Sequence, residues 1–473
     1  MSNRFFIQTL GCAKNTADSD GIGATLERAG FQAADAPEDA DVVIVNTCGF
    51  LQASRHESLE TLRALGQQKH DDQLLIAAGC LISRYGALVQ QEAPGVDGVI
   101  DAGKWLAMPR LIQYLREQLK QPAPERDGSN WLDDAYLDLP REQLMARSVT
   151  DYLPRHAQGP SAYLKIADGC DRPCTFCIIP TIKGGHRSKP MDAALAEARE
   201  LVALGAREIV LVAQDTTAYG WDWQQRDVLA TLMERLCREV EGLQWLRLMY
   251  AYPGHITPRL IETMARYPQI VHYLDVPLQH AHPQVLQRMK RPNVAPTRRM
   301  LNDLRAAMPD LALRTTFIVG FPGETEEEFD ALLEFIETEE FDRVGIFEFS
   351  REEGTPAGDM PHQVSRKVSA RRRHEAMALQ QKISLRKNRA LVGATLQVLI
   401  EGVGEIVSDS QNAGAARRDP ELDCGNCVSI GRSYRDAPEV DGVVIVQSEL
   451  PIGRMVEVKI TQASEYDLVG EPC

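Results

Sequence analysis

Three of the chain's ten cysteines stand within one short stretch, Asp168-Gly169-Cys170-Asp171-Arg172-Pro173-Cys174-Thr175-Phe176-Cys177. The C-x3-C-x2-C spacing puts three thiolates on a single loop, enough to ligate three irons of a cubane and leave the fourth iron open to another ligand. A zinc knuckle is the weaker reading, because zinc would need a fourth ligand close by and tetrahedral closure.

Cys12, Cys48 and Cys80 form a second set of a different kind. Each follows a short apolar run, Phe5 to Leu10, Val42 to Asn46 and Leu74 to Ala78, as Gly11-Cys12, Thr47-Cys48-Gly49 and Gly79-Cys80. A helical pattern comes after each, which is the signature of a parallel sheet with crossover helices. Ligand sites in such sheets lie at the carboxyl ends of the strands, so three thiols from three strands converge on one edge. Taken singly each reads as a buried inert thiol; taken together they read as ligands of one shared cluster.

The elements that must position these thiols divide the chain of 473 residues into several parts, as its length requires. Residues 1–120 form the amino-terminal α/β domain. Residues 121–154, rich in Pro, Asp and Glu, read as a linker or covering loop. Within 155–389 lie six strand candidates, Tyr163 to Ala167, Glu208 to Ala213, Trp245 to Ala251, Tyr273 to Leu278, Leu313 to Gly320 and Arg343 to Ser350. Helical stretches separate them, with start signals at Thr257-Pro258 and at Thr325 with Glu328. Six such units predict a partial (β/α)6 barrel. Arg366 to Arg389, which includes Arg371, Arg372 and Arg373, reads as a helix with a solvated basic face between two domains. Residues 390–473 alternate apolar and polar over Ala394 to Val403, Gly442 to Val446 and Met455 to Ile460, which predicts a small antiparallel β-barrel.

The Cys170, Cys174, Cys177 motif behind a first barrel strand resembles that of the radical S-adenosylmethionine (SAM) superfamily. With the Cys12, Cys48, Cys80 set and the terminal barrel, nearly the whole chain is similar to the methylthiotransferases. The resemblance implies two 4Fe-4S clusters, one on Cys170, Cys174 and Cys177 and an auxiliary one on Cys12, Cys48 and Cys80, with a terminal TRAM domain. It implies SAM contacts at Gln214, Asp215, Gln279 and Arg314, drawn from Gln214-Asp215-Thr216, Tyr273 to His280 and Arg314 to Glu324. It also implies the chemistry: one SAM methylates sulfur held at the auxiliary cluster. A second is cleaved with one electron from a flavodoxin-like donor, and the radical so formed takes a hydrogen from the substrate carbon before methylthio transfer. His280 has a plainer reading as a hydrogen-bonded core histidine, and Pro322-Gly323 as a tight turn.

One branch of the family acts on adenosine in transfer RNA and another on an aspartate β-carbon of the twelfth small-subunit ribosomal protein. A formal net charge of −15 argues against affinity built on phosphate neutralisation. From Leu391 onward six basic residues, Arg417, Arg418, Arg432, Arg435, Arg454 and Lys459, face fourteen acidic ones. Such a module is a poor RNA clamp and would steer a basic ribosomal protein productively. Ile178-Ile179-Pro180, Gln214 to Gly220, Arg432 with Asp436 to Glu439, and Glu465 to Leu468 are similar to the ribosomal-protein branch. Lys189 stands where that branch leads one to expect arginine. An insertion around Gln411 to Cys427 ends in Cys424-Gly425-Asn426-Cys427, read as a surface loop with incidental thiols. Cys237 reads as core and Cys473 as free.

The alternatives are the transfer-RNA branch, with Arg371 to Arg373 and Arg417-Arg418 as its basic track, and a non-catalytic iron-sulfur electron carrier or ribosome-assembly factor. Hydrophobic content of 44%, charged content of 25% and the lack of a membrane-length apolar run predict a cytoplasmic protein with no membrane partner. In that compartment unpaired thiols serve metal binding or catalysis rather than disulfides.

Overall fold

The computed structural model describes residues 3–119, 155, 159–405 and 427–473. The linker expected at 121–154 and Cys424 lie outside the described residues.

The amino-terminal sheet contains β1 (Arg4–Thr9), β2 (Gln32–Ala33), β3 (Val42–Thr47), β4 (Leu74–Gly79) and β5 (Gly98–Asp101), in the order β2-β1-β3-β4-β5. All neighbours are parallel. β3 and β4 are buried on both faces, which is why they read as continuous apolar runs. The two strands that escape the apolar pattern are the edges: β2 has two exposed residues, and β5 is short and follows Pro94-Gly95. Register aligns Thr9 with Asn46 and Thr47 with Gly79, so the chain leaves β1, β3 and β4 at one edge.

The second sheet is six-stranded and open. It consists of β6 (Ser161–Lys165), then, past a small antiparallel pair β7 (Ala167–Asp168) and β8 (Arg187–Ser188), β9 (Glu208–Val212), β10 (Trp245–Leu248), β11 (Ile270–Asp275), β12 (Ala312–Val319) and β13 (Arg343–Glu348). Their order, β13-β12-β11-β10-β9-β6, is sequential and parallel throughout, as in a barrel that stops at six. Helices cover its outer face. In Val228–Glu239, Leu229, Leu232, Met233 and Leu236 recur at helical spacing and are all buried. Burying each contributes about 1.5–3 kcal/mol. The helix Pro258–Arg266 starts at the Thr257 cap, whose side chain accepts from Leu260 N–H. Glu326–Glu339 starts at a reciprocal capping box between Thr325 and Glu328.

The terminal unit is a closed barrel of β14 (Thr395–Glu405), β15 (Cys427–Ser433), β16 (Val444–Val446), β17 (Met455–Ala463) and β18 (Leu468–Pro472), in the order β14-β15-β16-β18-β17. It departs from the antiparallel expectation at one place: β16 and β18 run parallel. Five strands cannot alternate direction all round a closed ring, so one neighbouring pair must agree. Cys427 is the first residue of β15, so the expected surface loop with two incidental thiols does not extend to it.

The three parts share one interior. Ala13 and Ala17, on the helix Ala13–Arg28, pack with Tyr163, Val210, Val212, Met249 and Tyr273 of the open barrel, and Leu399 and Ala437 of the terminal unit close the same cluster. The helix Arg366–Arg389 is present, but its basic stretch is not simply solvated. Arg372 is buried, with guanidinium nitrogens 2.9 Å from Glu324 and 2.8 Å from Glu326. Arg371 and Arg373 are exposed, and Arg371 is paired to Glu326 at 2.7 Å and Glu375 at 3.0 Å. No described helix is long and apolar enough to cross a membrane.

Candidate cluster sites at the barrel mouth

The loop after β7 is folded back on itself by Gly169, whose φ of +78° is natural only to glycine; a Cβ there would come within 2.2 Å of the Gly185 carbonyl oxygen. Cys170 N–H then donates to Gly184 O at 3.1 Å and Cys177 N–H to Cys174 O at 3.2 Å. Thr175 fastens the loop to the helix Pro283–Met289 and its end, through its hydroxyl to Arg288 O at 2.9 Å and its N–H to Met289 O at 3.2 Å. Two sulfurs already accept N–H groups, Cys170 from Arg172 N at 3.5 Å and Cys174 from Arg291 Nη1 at 3.8 Å. Burial pushes the Cys170 thiol up to about 11 against the pull of the Arg172 N–H, and burial pushes Cys177 up to about 12.

The amino-terminal thiols are built by the strand ends. Cys12 caps the helix Ala13–Arg28, and Cys80 opens the helix Cys80–Glu92. Gly79, at φ +98°, makes the last step possible, since a Cβ would sit 2.5 Å from Asn46 Oδ1. Cys48 is pinned by Ser58, whose Oγ accepts from Cys48 N–H at 3.1 Å and donates to Cys48 O at 3.0 Å. Burial raises Cys48, and it pushes Cys80 up to about 11, with Lys183 pulling the other way and the charges of Cys12 and Cys48 adding to the rise. Each member of the set therefore lies within the field of the others. Among the described residues no three His, Cys, Asp or Glu side chains gather as one metal ion would need. A cubane is wider than an ion, and two buried or half-buried thiol triads with N–H donors turned to their sulfurs suit it in donor chemistry.

Buried ions join the two triads. Lys183, at the end of the helix Ile179–Lys183 that follows Cys177, lies 3.5 Å from Asp168 and 3.7 Å from Asp18. Lys165 bonds Asp18 directly and stands 3.6 Å from Asp168. Burial opposes ionisation of Asp168, but Lys165 and then Lys183 outweigh it and hold the carboxyl well below the usual range. On the barrel side, Lys14 Nζ lies 3.6 Å above the ring of Tyr250. Tyr250 N–H donates to Asp275 at 3.3 Å, Asp275 pairs with Arg314 at 2.8 Å, and Arg314 reaches Asp441 of the terminal unit at 3.4 Å.

The residues expected near SAM occupy three different situations. Gln214 donates to Asp168 at 2.8 Å, while its buried Oε1 has no hydrogen-bond partner among the described residues. Asp215 is fully engaged: Oδ1 accepts from Thr217 at 2.7 Å and Ala218 N–H at 3.1 Å, and Oδ2 from Arg172 at 2.8 Å. Arg314 is committed to Asp275 and Asp441. Gln279 holds the strand edge by its backbone at φ +75°, donating to Thr316 O and accepting from Ile318 N–H, both at 2.8 Å. His280 is a buried hydrogen-bonded histidine: Nδ1 accepts from His282 N–H at 3.0 Å, so Nε2 donates to Glu324 at 3.0 Å. Lys189 is buried against Glu197, Cys237 lies in the core and Cys473 is exposed. Lys14, Asp18, Lys165 and Lys183 carried no motif that singled them out; only the packing of one domain on another brings Asp18 to Lys165 and Lys183, and Lys14 to Tyr250.

Comparison with known proteins agrees with this layout part by part. Residues 164–336 match the radical SAM superfamily, 392–473 the TRAM domain, and 4–101 an uncharacterized protein family, UPF0004. A radical SAM methyltransferase, TsrM from Kitasatospora setae, superposes with a TM-score of 0.58 over 81% of this chain and 89% of that one, at 13% identity, a likeness of fold. The class is thus a radical SAM chain that carries an added α/β domain and a TRAM barrel. Over 99% of both chains it is 48% identical to the ribosomal protein uS12 methylthiotransferase RimO of Chloroflexus aurantiacus. It is 40% identical to that of a Thermoanaerobacter species, over 98% of this chain and 99% of the relative. The chain belongs to the RimO family.

Proposed function

We propose that the chain is a radical SAM methylthiotransferase that modifies an aspartate β-carbon of ribosomal protein uS12. Cys170, Cys174 and Cys177 hold the cluster that binds SAM, and Cys12, Cys48 and Cys80 hold the auxiliary one. The observation that carries this reading is the meeting of the two triads across Lys183, Asp168 and Asp18, in a chain alike over its whole length to RimO proteins. When bound, the groups supply reductive cleavage of SAM to a carbon radical at the first triad and the sulfur at the second.

The chain's own residues do the rest. Gln214 has a free buried acceptor for an N–H or O–H of SAM, whereas Asp215 and Arg314 act through Arg172 and Asp275. Gln279 sets the end of the fourth barrel strand. The helix Ala13–Arg28 and the terminal barrel close the interior, which keeps stray C–H and S–H hydrogen donors away from the radical chemistry. The parts 1–120, 121–154, 155–389 and 390–473 serve as auxiliary domain, linker, SAM barrel and substrate module.

Substrate choice follows from where the terminal arginines go. Arg432 is buried against Glu208 and Glu401, and Arg435 against Asp342. Among the described residues this leaves Arg454 and Lys459 as the module's exposed basic groups, amid an acidic excess suited to a basic ribosomal protein and unsuited to RNA. A flavodoxin-like protein is the electron donor and the cytoplasm the place of action in this reading. Anaerobic reconstitution with iron and sulfide, then SAM and reductant with purified uS12 or transfer RNA, tests it. A methylthio mass increment on uS12 with 5′-deoxyadenosine released is expected; an increment on the RNA would move the chain to the other branch.

A further inference from the structure

Lys14 stands two residues after Cys12 in the first turn of its helix, half-buried, with its ammonium over the Tyr250 ring. Three other lysines around the triads are spent on carboxylates: Lys165 and Lys183 on Asp18 and Asp168, and Lys189 on Glu197. Lys14 has no carboxylate within ion-pair distance among the described residues. Asp275, whose charge it feels, is already held by Arg314 at 2.8 Å and by Tyr250 N–H at 3.3 Å. A ring face attracts an ammonium without consuming its N–H donors. The result is a cation between the auxiliary thiols and the barrel interior with donors to give.

We propose that Lys14 is the specificity-determining residue that receives the side-chain carboxylate of the substrate aspartate. The inference rests on the reading of the chain as a uS12 methylthiotransferase. In aspartate the carboxylate carbon is bonded to the β-carbon, so the group that fixes one end positions the reacting carbon one bond away. The same ammonium lies in the field of Cys12 and Cys80, on whose side the sulfur is to be delivered. An uncharged side chain or a nucleobase can accept a hydrogen bond there but forms no ion pair, and the site discriminates against both.

The test uses the reconstituted holoenzyme. Mass spectrometry of modified uS12 locates the target aspartate, and uS12 and its version with asparagine at that position are titrated against wild type, K14M and K14R. Wild type is expected to lose on the order of tenfold or more in affinity for the asparagine version. K14M should bind both versions equally, and as weakly as wild type binds the asparagine one, with partial recovery in K14R. Iron and sulfide contents are measured alongside; if K14M loses a cluster, K14Q replaces it in the same comparison. An aspartate-to-asparagine loss as large in the variant as in wild type would overturn the assignment and leave Lys14 as a counter-charge to the thiols. Failure of wild type to modify uS12 at all would defeat the functional reading first, before any Lys14 variant is compared.

Discussion

The ammonium of Lys183, on the helix that follows Cys177, lies 3.7 Å from the carboxylate of Asp18, on the helix that follows Cys12. Each triad is thus followed by a helix that carries one partner of a buried ion pair, and the pair ties the two sites together. Removing one partner of a buried pair leaves an uncompensated charge and costs about 3–5 kcal/mol. Lys165 still faces Asp18 and Asp168, so Lys183→Met should fall near the lower end. The expected outcome is a lower midpoint in thermal denaturation of the reconstituted protein, with iron lost from both sites together. Unchanged midpoint and iron content would mean that the pair does not couple them.

Glu208 joins the barrel to the terminal unit. Burial opposes its charge, but Arg247 at 2.6 Å and Arg432 outweigh it and lower its pKa from 4.5 to about 2. A carboxyl with a depressed folded-state pKa contributes stability that is present above about pH 4.5 and is lost as pH falls towards 2. Its share is on the order of 3 kcal/mol. Acid denaturation followed between these limits should be steeper in wild type than in Glu208→Gln, which removes the carboxylate of Arg247 at every pH and leaves Arg432 with Glu401 alone. Superimposable acid curves would contradict the role given to Glu208.

Gly169→Ala tests the loop that carries Cys170, Cys174 and Cys177. At φ +78° a methyl group meets Gly185 O at 2.2 Å, and backbone must move. Reconstituted iron should fall from about eight to about four atoms per chain, with SAM cleavage lost and the amino-terminal triad still loaded. Full iron and normal cleavage would show that the loop does not need this turn.

The elements legible in the sequence were those with a strong local signal. The six barrel strands, the Thr257 cap and the Thr325–Glu328 capping box fall where their patterns put them. β2 and β5 were not legible, because short edge strands bury too little to alternate. β15 follows the insertion, and β18 is a five-residue strand ending on Pro472, so neither carries a periodic run. The parallel pair β16 and β18 is a consequence of ring closure, which no local pattern encodes. At the sites, the cysteines announced themselves by spacing. Lys14, Asp18 and Lys183 did not, since the meeting of Asp18 with Lys183 and of Lys14 with Tyr250 depends on how the helix Ala13–Arg28 docks against the barrel. The basic run Arg371 to Arg373 misled for the same reason: a single residue step around the helix separates a solvated arginine from a buried one, and composition cannot tell them apart.

The central claim is that the two triads hold separate clusters with separate duties. Cys→Ala variants at Cys170, Cys174 or Cys177 and at Cys12, Cys48 or Cys80, assayed anaerobically for 5′-deoxyadenosine and for the mass of uS12, test it most directly. The first group should lose SAM cleavage and modification together. The second should retain cleavage, lose the methylthio increment and hold about half the iron of wild type. Equal loss of cleavage in both groups would contradict two independent clusters, and an increment that survives loss of Cys12, Cys48 or Cys80 would remove the auxiliary site from the reaction.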